Sequence, residues 1–194
     1  MSARKKAWQQ FSDEIQATYV KGGILKSDRI EAVFQKWQMV YDIIVIPAGK
    51  VMFTYTRLRV PFTAKSDFQF CISKKSLFDK IAEKFGKSNI ETGDSQIDDN
   101  FVIKSNSDEK INRLFSNEKL KNLLLEKSDS HFELSHGHKS IGRQFPKGCD
   151  GLSLVVLYES DRDMLTRSYN IFCEILTSLS EAGEIEDAPA DVKL

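Results

Sequence analysis

The chain has 194 residues, of which 41% are hydrophobic and 29% are charged, and its 28 basic residues balance 28 acidic ones. This length and composition are typical of a globular domain that can bury a sizeable core. Because the formal net charge is zero, the overall charge does not favour a nucleic acid or an anionic membrane as a partner. No stretch reaches the about 18 apolar residues that a membrane-spanning helix requires, so we expect no integral membrane association.

The first half of the chain predicts one helix followed by an antiparallel sheet. Residues 4–20 place apolar side chains on one helical face, and Gly22 with Gly23 would end this helix. An interfacial membrane helix is the alternative for this segment, but Asp13 and Glu14 oppose it. Alternating and β-branched residues predict strands at 29–35, 40–46, 51–60 and 67–72, the middle two joined by a hairpin turn, and a helix at 75–85.

The middle of the chain predicts a strand and two short helices. Residues 101–104 are an apolar run that indicates a strand, preceded by an acidic loop over 87–100. Ser105 and Asp108 have the spacing of a capping box, which predicts the start of a helix. Ser116 and Asn117 interrupt the apolar stripe in the manner of a new N-cap, so a second short helix should follow.

Three segments of this central region share a recognisable pattern. They are 55–62 (YTRLRVPF), 85–94 (FGKSNIETGD) and 98–126. In the third segment, an acidic pair is followed in order by FVIK, SNSDEK, LFSN and a leucine-rich helix. Together they resemble a family of uncharacterised conserved bacterial proteins over about residues 50–126, with a departure at Ile97, where an aromatic residue is expected. The resemblance implies a bacterial origin, and because the family has no assigned activity, it implies no functional residues.

The last third predicts two strands and a long helix. Residues 131–134 and 152–158 read as strands around a long loop, and 160–179 follow the helical period. We therefore predict one α+β domain over 1–183: an antiparallel sheet with an N-terminal helix, central short helices and a long C-terminal helix packed on the sheet. Residues 184–194 are predicted to be a disordered acidic tail.

The three cysteines, Cys71, Cys149 and Cys173, lack a Cys-x-x-Cys spacing. An odd number without that spacing predicts neither a disulfide framework nor a zinc knuckle. The basic N-terminus is not followed by an apolar run typical of a signal peptide, so we expect a cytoplasmic protein with reduced thiols. Cys71 and Cys173 lie next to apolar residues and are expected to be packed rather than nucleophilic.

The predicted binding residues lie on the second strand of the hairpin. Arg57 and Arg59 share a strand face with Tyr55, and guanidinium groups beside aromatic rings suit an anionic or planar ligand. The side chains on the other face of this strand should point to the core: Met52, Thr54, Thr56, Leu58 and Val60. The alternative interpretation is the solvated polar face of an ordinary antiparallel sheet.

No catalytic motif is present: the chain lacks a nucleophile elbow, a phosphate-binding loop and a dinucleotide fingerprint. We therefore predict a non-catalytic cytoplasmic module that binds a protein or a small molecule through Arg57, Arg59 and Tyr55, with no cofactor, no metal site and no nucleic acid. The alternative is a metal-dependent enzyme that uses the loop with His136 and His138 and the acidic residues in 91–99, although their spacing matches no known metal motif.

Overall fold

The computed structural model describes residues 3–23, 27–48, 50–75, 89–126, 130–136, 145, 149–157, 161–190, 192 and 194. The described strands are β1 (Thr18–Val20), β2 (Arg29–Phe34), β3 (Trp37–Ala48), β4 (Val51–Phe62), β5 (Phe70–Lys74), β6 (Phe101–Ser105), β7 (Ser130–His136) and β8 (Asp150–Leu157). The described helices are α1 (Ala3–Glu14), α2 (Ser95–Asn100), α3 (Asp108–Phe115), α4 (Glu118–Glu126) and α5 (Arg162–Glu181).

The eight described strands form one sheet in the order β1-β2-β3-β4-β8-β7-β5-β6, and every neighbouring pair is antiparallel. Strands β1 to β4 follow one another directly, whereas β8 and β7 lie between β4 and β5. The predicted α+β class with a single antiparallel sheet is confirmed.

One face of the sheet carries the hydrophobic core. A continuous cross-strand row of buried side chains runs along it: Tyr41, Leu58, Leu154, Phe132, Ile72 and Ile103. Helix α5 covers this face, since the Tyr41 hydroxyl donates to the Leu165 carbonyl at 3.3 Å and Phe172 is fully buried in the same cluster. The predicted packing of the long C-terminal helix on the sheet is therefore confirmed, and the burial of apolar side chains stabilises it.

The N-terminal helix is shorter than predicted. It ends at Glu14, and Gln16 adopts a φ of 55°, a left-handed conformation that stops the helix well before the glycine pair. Thr18–Val20 then pairs with β2. Tyr19 thus belongs to a strand, because pairing along the sheet edge outweighs its place in the helical pattern.

The predicted helix start after β6 is also displaced. Ser107, not Ser105, is the N-cap of α3 and accepts a hydrogen bond from the backbone N–H of Lys110. The Ser105 hydroxyl instead donates to the Gln69 carbonyl beside β5. The Asn117 cap is confirmed, since its Oδ1 accepts from the Leu120 N–H.

Helix α2 lies inside the segment that was predicted to be an acidic loop. Its N-cap is Asp94, whose side chain accepts from the N–H groups of Gln96 and Ile97. Only six residues long, this helix has too short an apolar stripe for periodicity to reveal it. Apart from Lys75, the helix predicted at 75–85 lies outside the described residues.

The predicted disordered tail is ordered where it begins. Ile185 is buried and bridges to Ala64, and the Glu186 N–H donates to the Thr63 carbonyl at 2.9 Å. The buried Glu184 carboxylate accepts from Lys110 Nζ at 2.8 Å and from the Ser66 hydroxyl. Composition suggested disorder here, but backbone pairing and one ion pair fix the segment instead.

Candidate functional site

The second face of the sheet is polar where the first is apolar. Because side chains alternate along each strand, the residues between the core positions project from this face. Two cross-strand rows occupy it: Asp42, Arg57, Val155, His131 and Ser73, and then Val40, Arg59, Ser153, Glu133 and Cys71. All of these side chains except Asp42 are buried, so the sheet encloses charged groups that need internal partners.

Arg57 and Arg59 do share a face, opposite Leu58 and Val60, as the alternation predicts. Both arginines are buried, however, and both bind Asp42 on β3. Arg57 donates through Nε and Nη2 to the two carboxylate oxygens at 2.8 and 2.5 Å, and Arg59 Nη2 donates to Oδ2 at 2.8 Å. The two guanidinium groups are thus engaged inside the sheet rather than displayed as an exposed basic face.

Burial and charge act in opposite directions on Arg59. Desolvation lowers its pKa to about 10, while the carboxylate of Asp42 works against that decrease. The side chain therefore stays charged at neutral pH. Asp42 was not among the predicted site residues. A carboxylate within a β-branched apolar strand is nevertheless a signal, because such a group requires a cationic partner when it is even partly buried.

The hairpin of β3 and β4 extends beyond its described neighbours. Pairing between β2 and β3 stops at Tyr41, and described pairing between β8 and β4 stops at Tyr55. We call residues 43–48 and 50–54 the arm. Lys50 is its one charged residue.

Apolar side chains predominate on both faces of the arm. From the register, one face carries Ile44, Ile46, Val51 and Phe53, and the other carries Ile43, Val45, Pro47 and Met52 together with the polar, exposed Thr54. Val45 is 52% exposed and Met52 is 63% exposed. The rings of Phe53 and Tyr55 lie 6.5 Å apart at the base of the arm, and both remain partly exposed. The predicted site residue Tyr55 therefore adjoins an accessible apolar surface.

A second constellation lies deeper on the polar face. Cys71 Sγ is 3.6 Å from Nδ1 of His131, and Nε2 of His131 is 3.6 Å from Oε2 of Glu133. The three side chains are at most 3% exposed. This cluster was not predicted, because Cys71 and His131 lie 60 positions apart and only the pairing of β5 with β7 brings them together.

Local charge decides the protonation of this histidine. Burial by itself lowers the pKa of His131, but Cys71 and Glu133 outweigh that effect and raise it to about 9. Burial raises the pKa of the other two thiols, that of Cys173 to about 12. Cys71 and Cys173 are buried, as predicted, and Cys149 is buried as well. In addition, Cys71 has the imidazole of His131 beside it.

The proposed metal ligands are not assembled among the described residues. No group of three or more His, Cys, Asp and Glu side chains in the described ranges could hold a metal ion. His138 and the side chain of His136 both lie outside the part of the chain that the structure describes. In the acidic segment, Asp98 accepts from the Thr92 and Gly93 N–H groups, and Asp94 binds Lys121 Nζ at 3.1 Å, so both carboxylates cap and tie local structure.

A cavity of about 360 Å³ opens between α3 and the end of α5. Phe68 and Leu179 contribute apolar walls, and Ser116 and Asn117 contribute polar groups. Its Lys110 is already paired with the buried Glu184. A small molecule there would have to displace or share that internal ion pair, which makes the cavity a weaker candidate than the arm.

Comparison with known proteins gives a fold but no family. No family model matches the chain, and no curated protein matches it. The fold is similar to that of the mycobacterial trehalose monomycolate transport factor A, with a TM-score of 0.55, 7% sequence identity and 100% coverage of both chains. At this identity the likeness concerns the fold alone. Among the described helices, none is both long and apolar enough to cross a bilayer.

Proposed function

We propose that this protein is a non-catalytic binding module whose binding surface is the arm together with Tyr55. The observation that carries the proposal is an apolar ribbon, exposed on both faces, that extends past the described ends of β2 and β8. Exposed contiguous apolar surface is costly in water and commonly marks an interaction site. The solved neighbour is named a transport factor, and by analogy with it we favour a binding role over catalysis.

The backbone of the arm indicates the kind of partner. Within the described ranges, no strand lies along the outer edge of β3 beyond Tyr41. The peptide groups of Ile43–Ile46 on that edge can accept an added strand, which is the recognition mode called β-augmentation. Pro47 has no N–H and limits the addition to the stretch before it. The partner is therefore an extended, largely apolar segment of another protein.

A lipid surface fits the arm less well. Open strand edges are not tolerated in hydrocarbon, because their N–H and C=O groups would lose hydrogen bonds to water without replacement. Lys50 at the tip would also be the deepest residue of an inserted arm, and a buried ammonium is costly. A protein strand satisfies the edge and covers the apolar side chains at the same time.

Arg57 and Arg59 support this surface from inside. Their shared carboxylate, Asp42, immediately precedes the arm on β3, and both arginines follow Tyr55 on β4. The three charged side chains tie the two strands together where the arm leaves the sheet. In this proposal Tyr55 and Phe53 contact the partner, and the arginines hold the strands that present them.

Site-specific photocrosslinking in the native host tests the proposal. A benzophenone amino acid replaces Val45 on the arm, which is 52% exposed. The matched control replaces Val33 on β2, which is 65% exposed. We expect a discrete protein adduct at position 45 and none at 33. In the purified complex, those backbone amides of Ile43–Ile46 that face the open edge should exchange with deuterium more slowly than in the free protein, because strand addition hydrogen-bonds them, whereas the alternate amides already face β4.

Other outcomes overturn the proposal. Equal crosslinking at positions 33 and 45, or unprotected amides in the complex, would show that the arm does not bind by strand addition. An adduct of two copies of this chain would assign the arm to self-association. Flotation with phosphatidylcholine–phosphatidylglycerol vesicles that is abolished by Val45→Lys would assign it to lipid.

A further inference from the structure

The Cys71–His131–Glu133 cluster has the geometry of an activated thiol. The imidazole lies between the sulfur and the carboxylate, with 3.6 Å to each. Cys71 and Glu133 are directly opposite each other on β5 and β7, so rigid backbone pairing holds both side chains. Within the part of the chain that the structure describes, Nε2 of His131 has no hydrogen-bond partner, although the side chain is only 1% exposed, and the Glu133 carboxylate lies 3.6 Å from it.

Charged side chains of both signs lie around the sulfur and the imidazole. Lys104 on β6 and Glu133 on β7 are the cross-strand partners of Cys71. Arg57 and Arg59 lie on β4, three strands from Cys71, and both bind Asp42. The facing residues of β8, Ser153 and Val155, do not titrate. Cations next to a thiol stabilise the thiolate, which is the reactive form of cysteine.

We propose that Cys71, His131 and Glu133 form a hydroperoxide-reactive thiol site, independent of the arm. The thiolate sulfur attacks one peroxide oxygen, an S–O bond forms and the O–O bond breaks. Sulfur is oxidised by two electrons to the sulfenic acid, and the peroxide is reduced. The departing hydroxide takes the proton from His131 and leaves as water.

Each residue has a distinct role in this step. Cys71 is the nucleophile, and His131 holds its proton on Nδ1 and then delivers it to the leaving oxygen. Glu133 is a positioning residue that keeps the imidazole charged and oriented through Nε2. The tight burial restricts the oxidant to a small molecule such as hydrogen peroxide, since the thiol is only 3% exposed.

Two measurements on the intact protein test the site. The first is the thiolate absorbance at about 240 nm near pH 7, which should be present in the wild type, lost in Cys71→Ser and unchanged in the matched control Cys173→Ser. The second is oxidation by hydrogen peroxide followed by peptide mass spectrometry. Cys71 should be oxidised about tenfold or more faster than Cys149 and Cys173, because burial raises the pKa values of those two thiols.

Variants of the partners decide the mechanism. His131→Gln should remove most of the thiolate absorbance and slow the oxidation of Cys71 to the rate of the other thiols. Glu133→Gln should give an intermediate rate, and it serves as the deciding variant if His131→Gln fails to fold. Absence of thiolate absorbance, equal oxidation of all three cysteines, or an unchanged rate in both variants would each overturn the proposal.

Discussion

At the scale of single residues, Asp42 determines how the predicted basic pair behaves. It is the shared acceptor of two buried guanidinium groups, at 2.5 and 2.8 Å. Removing one partner of a buried ion pair leaves the other charge without compensation, which costs far more than loss of an exposed pair. Asp42→Asn keeps the shape of the side chain but removes its charge, so two arginines would face each other across one amide.

We expect Asp42→Asn to lower the free energy of unfolding by about 3 kcal/mol in urea melts. The control is Glu31→Gln, which breaks the half-exposed pair that Arg29 and Glu31 form at 2.6 Å on β2. That change should cost under about 1 kcal/mol, because water screens exposed pairs. If Asp42→Asn lowered the free energy of unfolding as little as Glu31→Gln does, the Asp42 cluster would not stabilise the base of the arm.

At the scale of secondary structure, long patterns were predictable, whereas the shortest described helix and the shortest described strand were not. The 20-residue α5 has enough turns for its period to stand out, and the hairpin of β3 and β4 has a β-branched run on each side of a turn. Helix α2, six residues long, and strand β1, three residues long, depend on a cap and on pairing with β2. Such tertiary and local contacts leave little periodic signal in a sequence.

The long helix supplies the element-scale prediction. Phe172 is fully buried between α5 and the sheet, whereas Met164 on the same helix is 47% exposed. Phe172→Ala should lower the free energy of unfolding by about 3–5 kcal/mol, because it leaves a cavity in the core. Met164→Ala should change it by under about 0.5 kcal/mol. A loss below about 1 kcal/mol for Phe172→Ala in urea melts would show that α5 is not part of the core.

At the scale of the whole molecule, the sequence predicted the class and the sheet but not the strand order or the sites. Alternation shows that Arg57 and Arg59 share a face, but it cannot show that Asp42 is across from them. Nor can it place Cys71 beside His131, since that contact depends on β7 lying next to β5. The exposure of the arm follows from where neighbouring strands end, which is a property of the assembled sheet.

Three carboxylates connect separate elements of this assembly. Asp28 accepts from the Gly22 N–H at 2.8 Å and binds Arg4 of α1. Asp94, the N-cap of α2, binds Lys121 of α4. Glu174 of α5 accepts a hydrogen bond from Asn117. Burial alone raises the pKa values of Asp28 and Glu174, but hydrogen bonds and nearby cations outweigh it and lower both. For Asp94 the hydrogen bond from Lys121 is the main cause of a lowered pKa.

These lowered pKa values predict acid sensitivity. A carboxyl group with a lower pKa in the folded than in the unfolded protein stabilises the fold above its unfolded pKa and loses that contribution as pH falls through the folded pKa. For Asp28 and Asp94 the unfolded value is 3.8, so Tm should be steady near pH 6 and decrease steeply below about pH 4. Asp28→Asn removes one such group. The Tm of this variant should therefore be lower than that of the wild type at about pH 6, and it should decrease less between about pH 5 and about pH 3. Parallel curves for the variant and the wild type would show that Asp28 does not link α1 to the sheet through its charge.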